Sequence, residues 1–540
     1  VPLDGDDLTG QNYEIATRSL TTDIISEVEA IENYMENRLM RSVKKGNQTV
    51  LNLKLNEFNK RKLLGNIDVG LGPDAQLITG SAVSTLGKWK SLTNVTSNNI
   101  GIRKFNKNSG LTPLGSNQLW AEQVDLPLRN NPFSYFPRNL NSEQENINNE
   151  KVISSNHVVS FNKKTKLTSN VLLANDVLRT ATTGVYQFLN DNPFSFTQTD
   201  TVRNNFGKAR GSIKLESDLS ETSTFTAQTY ADYNDNQLQN ALFFDTPQLS
   251  SQIAQPMSVN NLRIFNLIEY TKLFKGRNIL NASFRQGHST VSERSSFNVS
   301  SLDNLISTTQ NLNQAHNLLS GNLSWTKIGK GIELQNDVYF SRKQFNYTLD
   351  RNADASFFNS SNTLTNSTAG ISSNIKWEAG KFEGNHSGSL ENVKSMEGNS
   401  TFQLLDFKTT LAYKLNGKNT LSFSFIYDQL PQFTNLLIGV PMINNFRSTQ
   451  VGNNQLALNK QRTYVLNYIY VDVLKTKMDA IFSIIYTQQP VWFSFNNFTI
   501  QNELQQISIY EANNNTSIRF DVKVNKLIYL LRGIVKLNAS

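Results

Sequence analysis

The chain has 540 residues, of which 38% are apolar and 18% charged, with a mean hydropathy of −0.41. It has no cysteine, which excludes disulfide scaffolds, thiolate zinc sites, iron–sulfur clusters and cysteine nucleophiles. Net charge is +8 at a pI near 9.2, but the basic residues are dispersed, with the densest groups at Lys60–Lys62 and Lys163–Lys166. No basic stripe or nucleic-acid motif accompanies them, so no nucleic-acid partner is expected.

The first residues, Val1–Gly10 (VPLDGDDLTG), hold no signal-peptide pattern, and Ile534–Ser540 (IVKLNAS) reads as the middle of a strand. The expectation is a fragment cut at both ends. Asp4–Asp7 (DGDD) resembles part of a calcium loop, but the closing Glu is missing, and a plain turn is expected there. Residues 20–40 predict a helix. Thr21, Thr22 and Asp23 offer caps, Glu27 and Glu29 follow, and Ile24, Ile25, Val28 and Ile31 recur at helical spacing. Gln48–Leu55 (QTVLNLKL) then alternates as a half-buried strand.

From Leu64 the pattern changes and stays changed. Ile67, Val69 and Leu71 alternate with Asn66, Asp68 and Gly70. Later segments repeat this: Ala209–Glu216, Leu319–Thr326, Ile371–Trp377 and Leu421–Tyr427. Segments of ~9–11 residues with period-two hydropathy are the signature of a membrane-spanning β-barrel. About nineteen such strands are expected between Leu64 and Ser540.

Short turns, such as Phe274–Arg277 (FKGR), Gly329–Gly331 (GKG), Ala379–Lys381 (AGK) and Asn416–Asn419 (NGKN), recur about every 55 residues. Between them lie stretches rich in Asn, Ser and Gln that predict long connections: 102–152, 177–206, 234–261, 288–315, 428–462 and 488–515. Short turns on one side and long loops on the other are the asymmetry of outer-membrane barrels. Trp89, Trp325 and Trp377 lie near short turns, where an interfacial girdle belongs. No run of about 18 apolar residues occurs, so no transmembrane helix is expected.

Motifs for catalysis are missing: there is no G-x-S-x-G, H-E-x-x-H or P-loop, and no enzyme is expected. The four histidines, His157, His288, His316 and His386, share no metal-ligand spacing, so no metal or other cofactor is expected. His157 and His316 read as polar residues at strand starts. The loop Arg129–Arg138 (RNNPFSYFPR) stands out. Trp120, Arg129, Phe133, Tyr135, Phe136 and Arg138 give it an aromatic and guanidinium surface. That surface would either grip a ligand at the mouth of the barrel or form the small core a long loop needs.

The pieces DGDDLTG (Asp4–Gly10), IATRSLTTDIISEVEAIENY (Ile15–Tyr34) and NQTVLNLKL (Asn47–Leu55) resemble the C-terminal half of the plug domain of TonB-dependent outer-membrane receptors, of the Bacteroidetes type. Glu27, Val28, Ile31 and Glu32 fit that family's E-V-x-x-I-E-like run, and LLGNIDVGLG, ending at Gly72, resembles its first barrel strand. The TonB box, the first plug half and the terminal aromatic strand signal have no counterpart, and Met35–Gly46 stands where the family has a glycine-rich segment.

The resemblance implies an all-β fold with a plug remnant over residues 1–62 and a barrel over 63–540. About nineteen of the 22 strands of such plugged transporters would be present. It also implies the outer membrane of a Gram-negative bacterium, contact with its lipid, a periplasmic TonB partner, and uptake of a small ligand, glycan or peptide. The alternative is a barrel of similar shape with a structural or adhesive role and no TonB coupling.

Overall fold

The computed structural model describes residues 25–34, 37–41, 43, 48–55, 63–101, 147–188, 194–245, 250–300, 305–353, 356–395, 400–431, 442–445, 448–451, 458–472, 475–500, 505–528 and 533–539. Two strands come first, β1 (Ile25–Tyr34) and β2 (Gln48–Leu55), separated by a helical turn at Arg38–Arg41. Then follow β3 (Leu63–Gly72), β4 (Ala75–Leu86), β5 (Trp89–Asn98), β6 (Glu150–Ser160), β7 (Thr165–Phe188), β8 (Phe194–Ser220), β9 (Ser223–Asp245), β10 (Ser250–Ala254) and β11 (Met257–Phe274). Next come β12 (Asn278–Ser300), β13 (Leu305–Ile328), β14 (Ile332–Ala353), β15 (Ser356–Ala379), β16 (Phe382–Ser395), β17 (Ser400–Lys414) and β18 (Asn419–Pro431). The last are β19 (Met442–Asn445), β20 (Ser448–Val451), β21 (Leu458–Asp472), β22 (Met478–Ile500), β23 (Gln505–Ile528) and β24 (Gly533–Ala539).

Strands β3 to β24 hydrogen-bond in one cyclic order as a closed barrel. β10, β19 and β20 have only four or five residues, and β9 pairs directly with β11 and β18 with β21. Nineteen long strands remain among the described residues, the number expected from the sequence. Chain packing divides into two compact units, residues 1–271, 283–319 and 343–364, and residues 272–282, 320–342 and 365–540.

The predicted helix over 20–40 is corrected: Ile25–Tyr34 is a strand, antiparallel to β2. The register explains why. Val28, Ala30 and Ile31 oppose Leu53, Leu51 and Val50, while Glu27 and Glu29 oppose Lys54 and Asn52. Lys54 Nζ lies 3.1 Å from Glu27 and 3.4 Å from Glu29, and the Asn52 amide donates to Glu29 at 3.0 Å. A partner strand with a matching alternation outweighs helical spacing, because cross-strand pairs are the unit of sheet stabilisation. Helix survives as one turn, whose Leu39 N–H donates to Asn37 Oδ1 at 2.9 Å, an Asn cap.

The predicted strand lengths are also corrected. β8 has 27 residues and β7 has 24, paired from Thr165↔Ser217 to Phe188↔Phe194. Most of the connection expected at 177–206 is therefore ladder. Its Thr-rich sequence suits this: β-branched residues favour strands, and the Thr183 and Thr199 hydroxyls meet across the pair at 3.2 Å. Polar side chains stand on both faces of this stretch, as at Arg179, Thr180 and Thr183.

Within the second unit the outer face carries an apolar register row. Leu411 opposes Phe423, Phe423 opposes Leu466, Leu466 opposes Ile484, and Ile484 opposes Phe520. All five are exposed, from 42% at Leu466 to 61% at Phe520. Aromatic rows flank it. On the short-turn side lie Tyr413, Tyr468 and Phe482; on the other, Phe425, Tyr464 and Tyr486, with ring centroids 5.0 and 5.9 Å apart. Beyond them the face turns polar at Arg462, Gln488 and Thr516. The apolar stretch from Phe407 to Leu415, at ~3.4 Å rise and ~40° tilt, spans ~20–25 Å, the height of an outer-membrane barrel's lipid band.

Trp89 and Trp325 are exposed near short turns, as expected, and Trp377 is half-buried beside its own. Trp377 lies over Gly384, its register partner, and its indole N–H donates to His386 Nε2 at 3.0 Å. Any β-carbon at Gly384 would collide with the indole. Gly384→Val is expected to expel Trp377 from the imidazole and shift its fluorescence, with barrel closure retained on a heat-modifiable gel; an unchanged spectrum would refute the packing.

Candidate functional site

Trp120, Arg129, Phe133, Tyr135, Phe136 and Arg138 lie in 102–146, outside the described residues. The two ends of that loop are described, and they are held by a buried polar network. The Asn98 side chain, at the end of β5, donates to Glu150 Oε2 at the start of β6 at 2.6 Å. Asn148 donates to Asn98 Oδ1 at 3.1 Å, and the Gly101 N–H donates to Asn148 Oδ1 at 2.8 Å. Asn98, Asn148 and Glu150 are almost completely buried. Asn149 N–H also donates to Asp176 on β7 at 3.2 Å, and Ile147 bridges to Arg179. Hydrogen bonds to a carboxylate are about twice as strong as neutral ones. The root from which the loop departs and returns is thus fixed.

The inner wall of the first unit is charged. Lys208, Arg210, Lys214 and Glu216 occupy alternate positions of β8, so all share one face, opposite exposed Ile213 and Leu219. On β9, Tyr230 and Asp232 face the same side. Arg210 lies 3.0 Å from the Asp232 carboxylate and Lys208 3.9 Å from it. The Arg210 guanidinium stands 5.7 Å above the Tyr230 ring centroid. Lower on the wall, Glu216 accepts from Lys214 at 3.1 Å and Lys166 at 3.3 Å. Such a surface can hold a polar or anionic solute, or a polar segment of chain, by charge and directional hydrogen bonds.

The helical turn after β1 docks on this wall. Arg38 Nε lies 3.0 Å from Asp218 and its guanidinium donates to the Ser220 carbonyl at 3.3 Å. The Asn37 amide donates to Thr271 at 3.2 Å and Thr224 at 3.5 Å. The helical turn is therefore anchored at the short-turn end of β8, β9 and β11.

The histidines lie within strands, as residues of a wall. His157 sits within β6 rather than at its start, stacked on Trp89 at 6.0 Å and hydrogen-bonded with Ser155 at 3.0 Å. Its neighbours Ile153 and Trp89 are exposed, which puts this Ser–His pair on the outer face. His316, well inside β13, meets Phe345 edge-on at 6.4 Å. His288 pairs with Asn317 at 2.6 Å. Among the described residues no group of three or more His, Asp or Glu could hold a metal ion.

No protein-family model matches the sequence, and no curated protein matches it significantly. Solved structures do. The siderophore receptor PiuA from Acinetobacter baumannii is 10% identical, with a TM-score of 0.42, over 96% of this chain and 82% of that one. The siderophore receptor PirA from Pseudomonas aeruginosa is 10% identical, with a TM-score of 0.39, over 100% and 77%. The ferric preacinetobactin receptor BauA from A. baumannii is 9% identical, with a TM-score of 0.39, over 99% and 83%.

The charged row on β8 was legible as a period-two pattern in KARGSIKLE. Its partner Asp232, and the docking of Arg38, were not, since cross-strand register is needed to bring residues 22 and 180 positions apart together.

Proposed function

We propose that this chain is an outer-membrane receptor and transporter of the TonB-dependent kind. Residues 1–62 would be the end of its plug and 63–540 its barrel. The single observation that supports this best is the exposed row Leu411–Phe423–Leu466–Ile484–Phe520 on the outer face of a closed barrel. An exposed apolar row in water would drive association; in lipid it is the solvated face. The docking of Asn37 and Arg38 on the wall supports the reading of the first segment as a plug. The motif likeness of Asp4–Leu55 supports the TonB partner and the Bacteroidetes-type assignment.

In this reading ligand meets the outer loops, above all 129–138. Periplasmic TonB then pulls on the plug, and the least stable element rearranges to open a path along the charged wall. The test is uptake by cells expressing the protein, with ferric siderophores, cobalamin, oligosaccharides and peptides as separate probes, with and without TonB. Uptake of one class is expected, dependent on TonB. Replacing Arg129, Phe133 and Tyr135 with Ala should lower binding about tenfold or more, the loss expected from removing aromatic and Arg anchors. Equal uptake without TonB would leave a barrel with no energised transport.

A further inference from the structure

We propose that the short-turn edge of the second unit is a docking surface for anionic phospholipid headgroups, the phosphodiester groups of the adjoining leaflet. The proposal rests on the membrane-spanning reading above and adds a lipid preference to it.

Among the described residues five short turns lie along this edge, at 275–277, 329–331, 380–381, 415–418 and 475–477, and none contains Asp or Glu. They follow one another in space as well as in sequence. Each hands its carbonyl to a strand further along the sheet: Arg277 to Ile328 N–H at 3.2 Å, Gly331 to Glu378 at 2.9 Å, and Lys381 to Lys414 at 2.8 Å. Lys418 accepts from Val471 at 2.8 Å and Lys477 from Leu527 at 3.0 Å. The edge is therefore continuous and fixed by backbone bonds.

Lys275, Arg277, Lys330, Lys381 and Lys475 project from it, all exposed, and none of them is in an ion pair among the described residues. Neighbouring carboxylates are already occupied. Asp472 pairs with Lys418 at 2.7 Å, and that bond, with the N–H groups of Lys475 and Thr476, holds its carboxyl well below the usual carboxylate range. Glu378 and Glu383 share Lys414. What is left is a row of cations with no carboxylate partner among the described residues; the Lys381 ammonium also donates to the Leu415 carbonyl at 3.3 Å.

The height of the row identifies its partner. Phe274, Trp325, Phe382 and Tyr468 are exposed on the outer face directly beside these turns. Exposed aromatics at a strand end mark the boundary between acyl chains and headgroups. The cations thus stand at phosphate level, where long Lys and Arg side chains reach the interface. An Arg fork also matches phosphate oxygens geometrically.

The test uses the whole protein in vesicles of phosphatidylethanolamine with one quarter phosphatidylglycerol. Electron paramagnetic resonance of spin-labelled forms of the two lipids measures their association with the barrel. Wild type is expected to favour phosphatidylglycerol at least about twofold. A surface cation gives roughly fivefold at its own site, diluted over the whole lipid shell. Lys275→Gln, Arg277→Gln, Lys330→Gln, Lys381→Gln and Lys475→Gln together should abolish the preference, and 1 M NaCl should abolish it in wild type by screening.

A heat-modifiable gel shift is read in parallel. Failure to insert, or loss of that shift in wild type, would refute the membrane-barrel reading itself. Insertion with no preference, or a preference unchanged in the variant and in salt, would overturn the docking surface. So would absence of preference with wild type alone co-sedimenting with peptidoglycan, which would assign the row to an acidic wall polymer.

Discussion

Leu466→Arg is expected to destabilise the folded protein by about 2–4 kcal/mol, the cost of a charge on the lipid face near the bilayer midplane. In vesicles it should fold poorly or fail the heat-modifiable gel shift. Asn467→Arg, one residue on, should fold close to normally. Asn467 points the other way, toward the Ser422 hydroxyl at 3.4 Å, in a register row that continues through Ser483 to Asp521. The contrast between adjacent positions follows from strand geometry, in which successive side chains point to opposite sides. Urea unfolding of both variants in lipid measures it. Equal tolerance of the two arginines would show that this face does not meet lipid, and the membrane-spanning reading would fall with it.

Asp232→Leu is expected to be the most damaging single change on the inner wall of the first unit. Asp232, Arg210 and Lys208 are all nearly buried, with the carboxylate between the two cations. Removing one member of a buried pair leaves the remaining charge poorly compensated and costs about 3–5 kcal/mol. Replacing both Asp232 and Arg210 by apolar residues should recover part of the loss, because neither charge then needs the other. A double-mutant cycle by urea unfolding resolves this. Strict additivity of the two changes would mean that the pair does not couple.

The two experiments probe features of different legibility. Outer-face alternation was readable from residue order alone: Leu421, Phe423 and Phe425 against Ser422 and Ser424 announce a two-faced strand, and the structure places Leu421 and Phe423 on the outside. Strand number was equally readable, since glycine and lysine punctuate nearly every short turn. The length of the strands was not. Asn- and Thr-rich sequence reads as loop when only lipid-facing hydropathy is sought, yet a ladder in water needs no apolar face. β1 departs from the helical spacing for a related reason: Ile25, Val28 and Ile31 fit a helix, and only the facing Gln48–Leu55 strand decides otherwise. The loop bearing Trp120 and Arg129–Arg138 was legible as composition, and its root as nothing at all. Asn98, Asn148 and Glu150 are ordinary polar residues until the fold buries them together.

The length of the β7–β8 pair has a consequence for reach. Its ladder runs without interruption from Thr165↔Ser217 to Phe188↔Phe194. At ~3.4 Å per residue and a ~40° tilt, that is roughly 60 Å along the membrane normal, of which the hydrocarbon takes only ~25 Å. In the membrane-spanning reading proposed above, a two-stranded arm of ~35 Å is left to stand clear of the bilayer. A large particle in the surrounding solution would meet the far end of that arm before any other part of the hairpin.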